Sequence, residues 1–97
     1  MAFVYMLECA DGTIYTGYTL DMAKRLDTHN AGRGGKYTRA RLPVRLLWSA
    51  DLETAREARA AEVYIKRLSK EKKCFLAAGR ISLEEACPKL YASVKGE

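Results

Sequence analysis

Ninety-seven residues, 48% of them hydrophobic, suffice for one small domain with a single core and argue against a second. The formal charge of +5, from 17 Lys and Arg against 12 Asp and Glu, points to an acidic partner, of which nucleic acid is the commonest kind. With no apolar run near the roughly 20 residues that cross a bilayer, no signal pattern, and three widely spaced cysteines (Cys9, Cys74, Cys87), the expectation is a cytoplasmic protein without membrane span, disulfide framework or zinc knuckle.

Residues 3–8 (FVYMLE) and 14–19 (IYTGYT) are rich in β-branched and aromatic side chains and flank Asp11-Gly12, a strong hairpin signal. The chain therefore opens with two antiparallel strands. Their register depends on the length of the turn. A two-residue loop of Asp11 and Gly12 puts Tyr5 and Tyr15 on opposite faces of the sheet, because a slip of one residue inverts every side chain. A three-residue loop, 10–12, with Gly12 left-handed, instead sets Tyr15 opposite Leu7 and Tyr5 opposite Gly17, so that both phenols share a face. In that register a glycine between two phenols leaves backbone open to a ligand. A plain cross-strand aromatic pair is the simpler account of the tyrosines.

Asp21 is placed to cap a short amphipathic helix that ends near Asn30, with Met22 and Leu26 on its apolar side. Arg25 and His29, four apart on that helix, point the same way and could clamp a phosphate; a solvated helix flank is the bland alternative. Residues 32–41 (GRGGKYTRAR) interleave glycines with Lys36, Tyr37, Arg39 and Arg41, which suits a flexible arm against a phosphate backbone, or else a solvated connector. The segment does not match a Walker A loop, since Tyr37 follows Lys36 where Ser or Thr is needed.

The apolar run 44–50 completes a three-stranded sheet. From Thr54 the spacing of Ala58, Ala61, Ile65 and Leu68 predicts the longest helix. Glu62 sits at the edge of that buried stripe, where an unpaired carboxylate is costly and something cationic should meet it. One carboxylate with several waters can hold Mg²⁺ beside a substrate phosphate, while a salt bridge to Arg59 or Lys66 is an equally good structural account. Ser69 begins a further helix that Gly79 closes, and Ser82 with Glu85 forms a capping-box pattern for a last short one.

In their order and spacing these residues resemble the GIY-YIG nuclease family, above all its small stand-alone bacterial members, which in turn look like the amino-terminal nuclease domain of excision-repair endonucleases. The two name-giving motifs stand here as Phe3-Val4-Tyr5 and Tyr15-Thr16-Gly17, followed by Arg25 and His29 on the first helix and Glu62 on a later one. The resemblance covers most of the first seventy residues. It implies a small α/β (α+β) domain with a core over roughly 1–80, a three-stranded antiparallel sheet flanked by helices, and hydrolysis of DNA phosphodiesters in repair or nucleic-acid processing with one Mg²⁺ or Mn²⁺ ion. Carried over residue by residue, Glu62 would bind the metal and Arg25 would stabilise the pentavalent phosphate. Tyr5, Tyr15 and His29 would position or deprotonate the attacking water. A phenol titrates near pH 10, so either tyrosine needs a cation nearby to act as a base. Gly17, Lys36, Tyr37, Arg39, Arg41 and Lys66 are the expected nucleic-acid contacts. DNA is the expected partner, with RNA and a separate targeting protein left open, and a non-catalytic nucleic-acid-binding module on the same fold is the competing reading.

Overall fold

The turn at Asp11 and Gly12 sets the register on which the site depends. In the computed structural model, which describes residues 1–87, Gly12 has φ +83° and donates its N–H to the Cys9 carbonyl, while the Cys9 N–H bonds the Thr13 carbonyl at 2.9 Å. Asp11 Oδ1 accepts from both the N–H and the hydroxyl of Thr13 and so braces the bend. This is the three-residue loop, with glycine in the left-handed region that side chains adopt only at a cost. Strands β1 (Ala2–Glu8) and β2 (Ile14–Thr19) accordingly run antiparallel with Leu7 opposite Tyr15 and Tyr5 opposite Gly17.

Strand β3 (Arg45–Leu52) pairs antiparallel with the other side of β1, starting one residue later and ending two later than the apolar run 44–50 indicated. The sheet order β2-β1-β3 makes β1 the central strand. That explains why its sequence is a continuous apolar run and not an alternation: Val4, Tyr5, Met6 and Leu7 are all buried because both faces of the sheet are covered. On one face Val4 and Met6 pack with Ala61, Ile65, Leu76 and Cys87. On the other, Tyr5, Leu7, Cys9 and Val44 pack with Tyr15, Met22, Leu26 and Leu42.

The helices expected from the sequence begin at side-chain caps. Asp21 accepts the Lys24 N–H to start α1 (Met22–Asn30). After α2 (Lys36–Arg39), Thr54 accepts the Glu57 N–H to start α3 (Ala55–Lys66), which buries Ala58, Ala61 and Ile65 against β1 and β2. Ser69 caps α4 (Lys70–Ala77); Gly79 at φ +78° then lets the N–H groups of Gly79 and Arg80 return to the carbonyls of Leu76 and Phe75, a Schellman closure. Ser82 and Glu85 form the expected reciprocal capping box on α5 (Leu83–Ala86).

The segment 32–41 departs from expectation. It is neither a flexible arm nor a solvated connector, because α2 turns Thr38 into a wholly buried position against α1 and Arg41 is tied to Asp11 at 3.0 Å. No helix among the described residues is long and apolar enough to cross a membrane.

Candidate active site

Register brings the first two site residues together. Tyr5 and Tyr15 project from neighbouring strands on the face that carries α1, with ring centroids 6.4 Å apart. Gly17 makes this possible in a way that differs from the expected open backbone. A Cβ built there would stand 2.5 Å from the Tyr5 hydroxyl oxygen and 3.2 Å from a ring carbon of Tyr15. The glycine surface is thus filled by the phenols themselves, and its missing side chain is the space in which Tyr5 lies.

Helix α1 supplies the next two. Arg25 and His29, one turn apart, converge on a single atom: the Arg25 Nε–H donates to Tyr5 Oη at 3.2 Å, and His29 Nε2 lies 3.0 Å from the same oxygen. His29 is wholly buried, so the solvated-flank reading of this helix face is set aside. Its ring meets those of Tyr5 and Tyr15 edge-on, with centroids 6.0 and 5.3 Å away.

The electrostatics follow from this packing. Burial raises the Tyr5 phenol above its ordinary value and outweighs the opposing pull of the Arg25 hydrogen bond and charge. The protein's own cation therefore does not turn Tyr5 into a base at neutral pH. Burial, assisted by the Arg25 charge, holds His29 below the ordinary imidazole value, which favours the neutral ring. The hydrogen bond to Tyr5 raises Arg25, whose guanidinium also interacts with Tyr15.

Glu62 bears on this cluster from α3, on the opposite face of the sheet. Its carboxylate is close enough for its charge to contribute to the raised pKa of Tyr5. The side chain is 17% exposed and meets Lys66 Nζ at 3.7 Å, one of the two salt bridges the helix spacing allowed. Among the described residues no three His, Cys, Asp or Glu side chains gather as a ligand cage. A lone, mostly buried carboxylate fits a hard divalent ion that keeps most of its waters, and it does not fit a closed tetrahedral zinc site.

The remaining expected contacts divide into two groups. Lys36 and Arg39 are exposed on α2, and Tyr37, 40% exposed, leans on Tyr15 with centroids 5.9 Å apart. Arg41 is engaged within the protein: its guanidinium covers the Tyr37 ring at 4.0 Å, donates to the Tyr37 carbonyl and pairs with Asp11. Lys66 is held by Glu62.

Two residues of the site were not singled out from sequence. Thr38 Oγ1 lies 2.8 Å from His29 Nδ1, and a Cβ at Gly34 would overlap that same nitrogen. Nothing local marks them, since a threonine inside a basic, glycine-rich run reads as surface. Gly34 lies before α2 and Thr38 within it, so only the folded chain brings both to the His29 ring.

A model of the GIY-YIG catalytic domain matches residues 1–74. The chain belongs to the GIY-YIG family. This is a nuclease-type family, whose nucleases generally use divalent metal ions. The chain is similar to the UPF0213 protein SAG0778 of Streptococcus agalactiae serotype V, 54% identical over 72 residues that span 74% of this chain and 82% of the relative. A UPF0213 protein of Bacillus licheniformis is also 54% identical, over 71 residues that span 73% of each chain. Among solved structures, the solution NMR structure of the UPF0213 protein BH0048 from Bacillus halodurans matches with a TM-score of 0.52 and 44% identity, covering 80% of this chain and 84% of the other. These relatives belong to the UPF0213 proteins, a small stand-alone GIY-YIG family, and this chain has a mixed α/β fold around a three-stranded antiparallel sheet.

Proposed function

We propose that this GIY-YIG protein is a cytoplasmic, metal-dependent endonuclease that hydrolyses DNA phosphodiester bonds in repair or nucleic-acid processing. The observation that carries the reading is the convergence of Arg25 and His29 on the Tyr5 hydroxyl, with the half-buried Tyr15 beside them on the same face. In this reading Tyr15 is the phenol that meets the attacking water, since Tyr5 is wholly buried and occupied by its two partners. Arg25, set between both phenols, opposes the negative charge that builds on the phosphate. Glu62 would hold one Mg²⁺ or Mn²⁺ ion, which when bound would stabilise charge on the phosphoryl and leaving oxygens. Lys36 and Arg39 contact the phosphate backbone directly and Tyr37 lies against the nucleic acid, while Arg41 acts by holding Tyr37 in place.

The test is cleavage of single-stranded, duplex and branched DNA by purified protein with and without Mg²⁺ or Mn²⁺, beside Glu62→Ala and Tyr15→Phe. Metal-dependent cutting that drops on the order of 100-fold or more in both variants supports the proposal. Activity that persists unchanged in both identifies a contaminant. A non-catalytic binding module is the second reading, favoured by the Glu62–Lys66 pair and by the burial that keeps Tyr5 protonated. It predicts metal-independent binding that Glu62→Ala leaves unchanged or strengthens.

A further inference from the structure

The hydroxyl of Tyr5 constrains where the proton of His29 sits. Tyr5 Oη already accepts the Nε–H of Arg25, and Tyr5 is wholly buried, so its hydroxyl proton needs a protein acceptor. Leaving such a buried donor unmatched is costly. Arg25 has no acceptor to offer, whereas His29 Nε2 lies 3.0 Å away. Nε2 must then be unprotonated, and a neutral imidazole in that state carries its single N–H at Nδ1. Nδ1 faces Thr38 Oγ1 at 2.8 Å, and the bare Cα of Gly34 closes against the same nitrogen.

We propose that Thr38 is a positioning residue of this site: its Oγ1 accepts the Nδ1–H of His29, holds the ring in that tautomer, and keeps the Nε2 lone pair aimed at the Tyr5 hydroxyl. The donors run in one direction, from Arg25 to Tyr5 to His29 to Thr38. A fixed Nε2 acceptor holds the Tyr5 hydroxyl in place, and through it the Arg25 guanidinium beside Tyr15. Gly34 contributes by shape, because any side chain there would push the ring off this line. The catalytic consequence rests on the nuclease reading; the tautomer does not.

The chain has one histidine, so its imidazole nitrogens can be observed without ambiguity in the ¹⁵N-labelled full-length protein. Long-range ¹⁵N–¹H correlation spectra of wild type, Thr38→Ser and Thr38→Val, recorded at a pH where the ring is neutral, are compared with steady-state cleavage of DNA. The expected result is an Nδ1–H ring in wild type and Thr38→Ser, and loss of that single tautomer in Thr38→Val. Cleavage by Thr38→Val falls on the order of 10- to 100-fold in kcat with KM little changed, and Thr38→Ser recovers most of it. A wild-type ring protonated at Nε2 overturns the proposal whether or not DNA is cut. So does a Thr38→Val protein that keeps both the tautomer and the rate. Should Thr38→Val fail to fold, Thr38→Ala provides the same comparison. Absence of cleavage in wild type, with the Nδ1–H tautomer present there and lost in Thr38→Val, rejects the nuclease reading and upholds the role of Thr38.

Discussion

An added methyl group at Gly17 meets a phenol that cannot step aside, because Tyr5 is held by Arg25 on one side and His29 on the other. Gly17→Ala should therefore cost about 1–3 kcal/mol, as overpacking does, measured by urea unfolding, and it should disturb the site before the fold. Thr16, its neighbour, makes the opposite case. Its Oγ1 is buried on the α3 face and has no hydrogen-bond partner among the described residues, so Thr16→Val should raise stability by about 1 kcal/mol in the same assay. His29 sets a pH dependence whose sign is fixed by its depressed pKa. The unfolded chain takes up a proton near the ordinary value of about 6.5 while the folded chain resists, so the unfolded state binds more protons and stability falls as pH drops below that value. The fall ends once the pH passes the lower, folded pKa. Denaturation at several pH values should show this slope in wild type and a flatter one in His29→Gln.

Capping chemistry was readable from the chain because it spans three or four residues. Asp21, Ser69 and the Ser82–Glu85 pair all act where the spacing placed them. Thr54, where the sequence started the helix bearing Glu62, also caps it in the structure, and Thr54→Ala should cost about 1 kcal/mol in thermal or urea unfolding. Asn30 was legible only as the end of α1. Its side-chain amide also brackets Val44, accepting the N–H at 2.9 Å and donating to the carbonyl at 3.0 Å, and so fastens α1 to the start of β3. Asn30→Ala removes both bonds and leaves a backbone pair unmatched, so it should destabilise by about 1–3 kcal/mol, read by the same unfolding measurements. Helix α2 was the element misjudged. Four residues carry too little periodicity to reveal which side is buried, and three of them (Lys36, Tyr37 and Arg39) are exposed, so the basic run concealed the burial of Thr38.

Across the whole molecule, the excess of positive charge argues for a phosphate-bearing partner but does not say which cations are available to it. The fold does so by engaging some of them: Arg41 with Asp11 and Tyr37, Arg45 with Glu8, Lys66 with Glu62. If nucleic acid lies along α2, then Lys36→Ala and Arg39→Ala should each reduce the slope of log K against log salt by about 1 in anisotropy titrations. Arg41→Ala should instead act mainly by freeing the Tyr37 ring.

Tyr5, Tyr15, Arg25, His29 and Glu62 stood out as a set through the resemblance to the GIY-YIG family, while the strands and the starts of α1, α3, α4 and α5 were available in the linear order of residues, because turns, caps and periodicity depend on near neighbours. The hairpin register was not, since loops of two and three residues are both open to this turn sequence; the register found is the one that buries Tyr5 and Leu7 against α1 while Val4 and Met6 meet α3. The proton partners of His29 were hidden for a related reason. Tyr5 is 24 positions away and Thr38 nine, and which groups share a buried hydrogen-bond chain is settled only when packing excludes water and every donor must find its acceptor inside the protein.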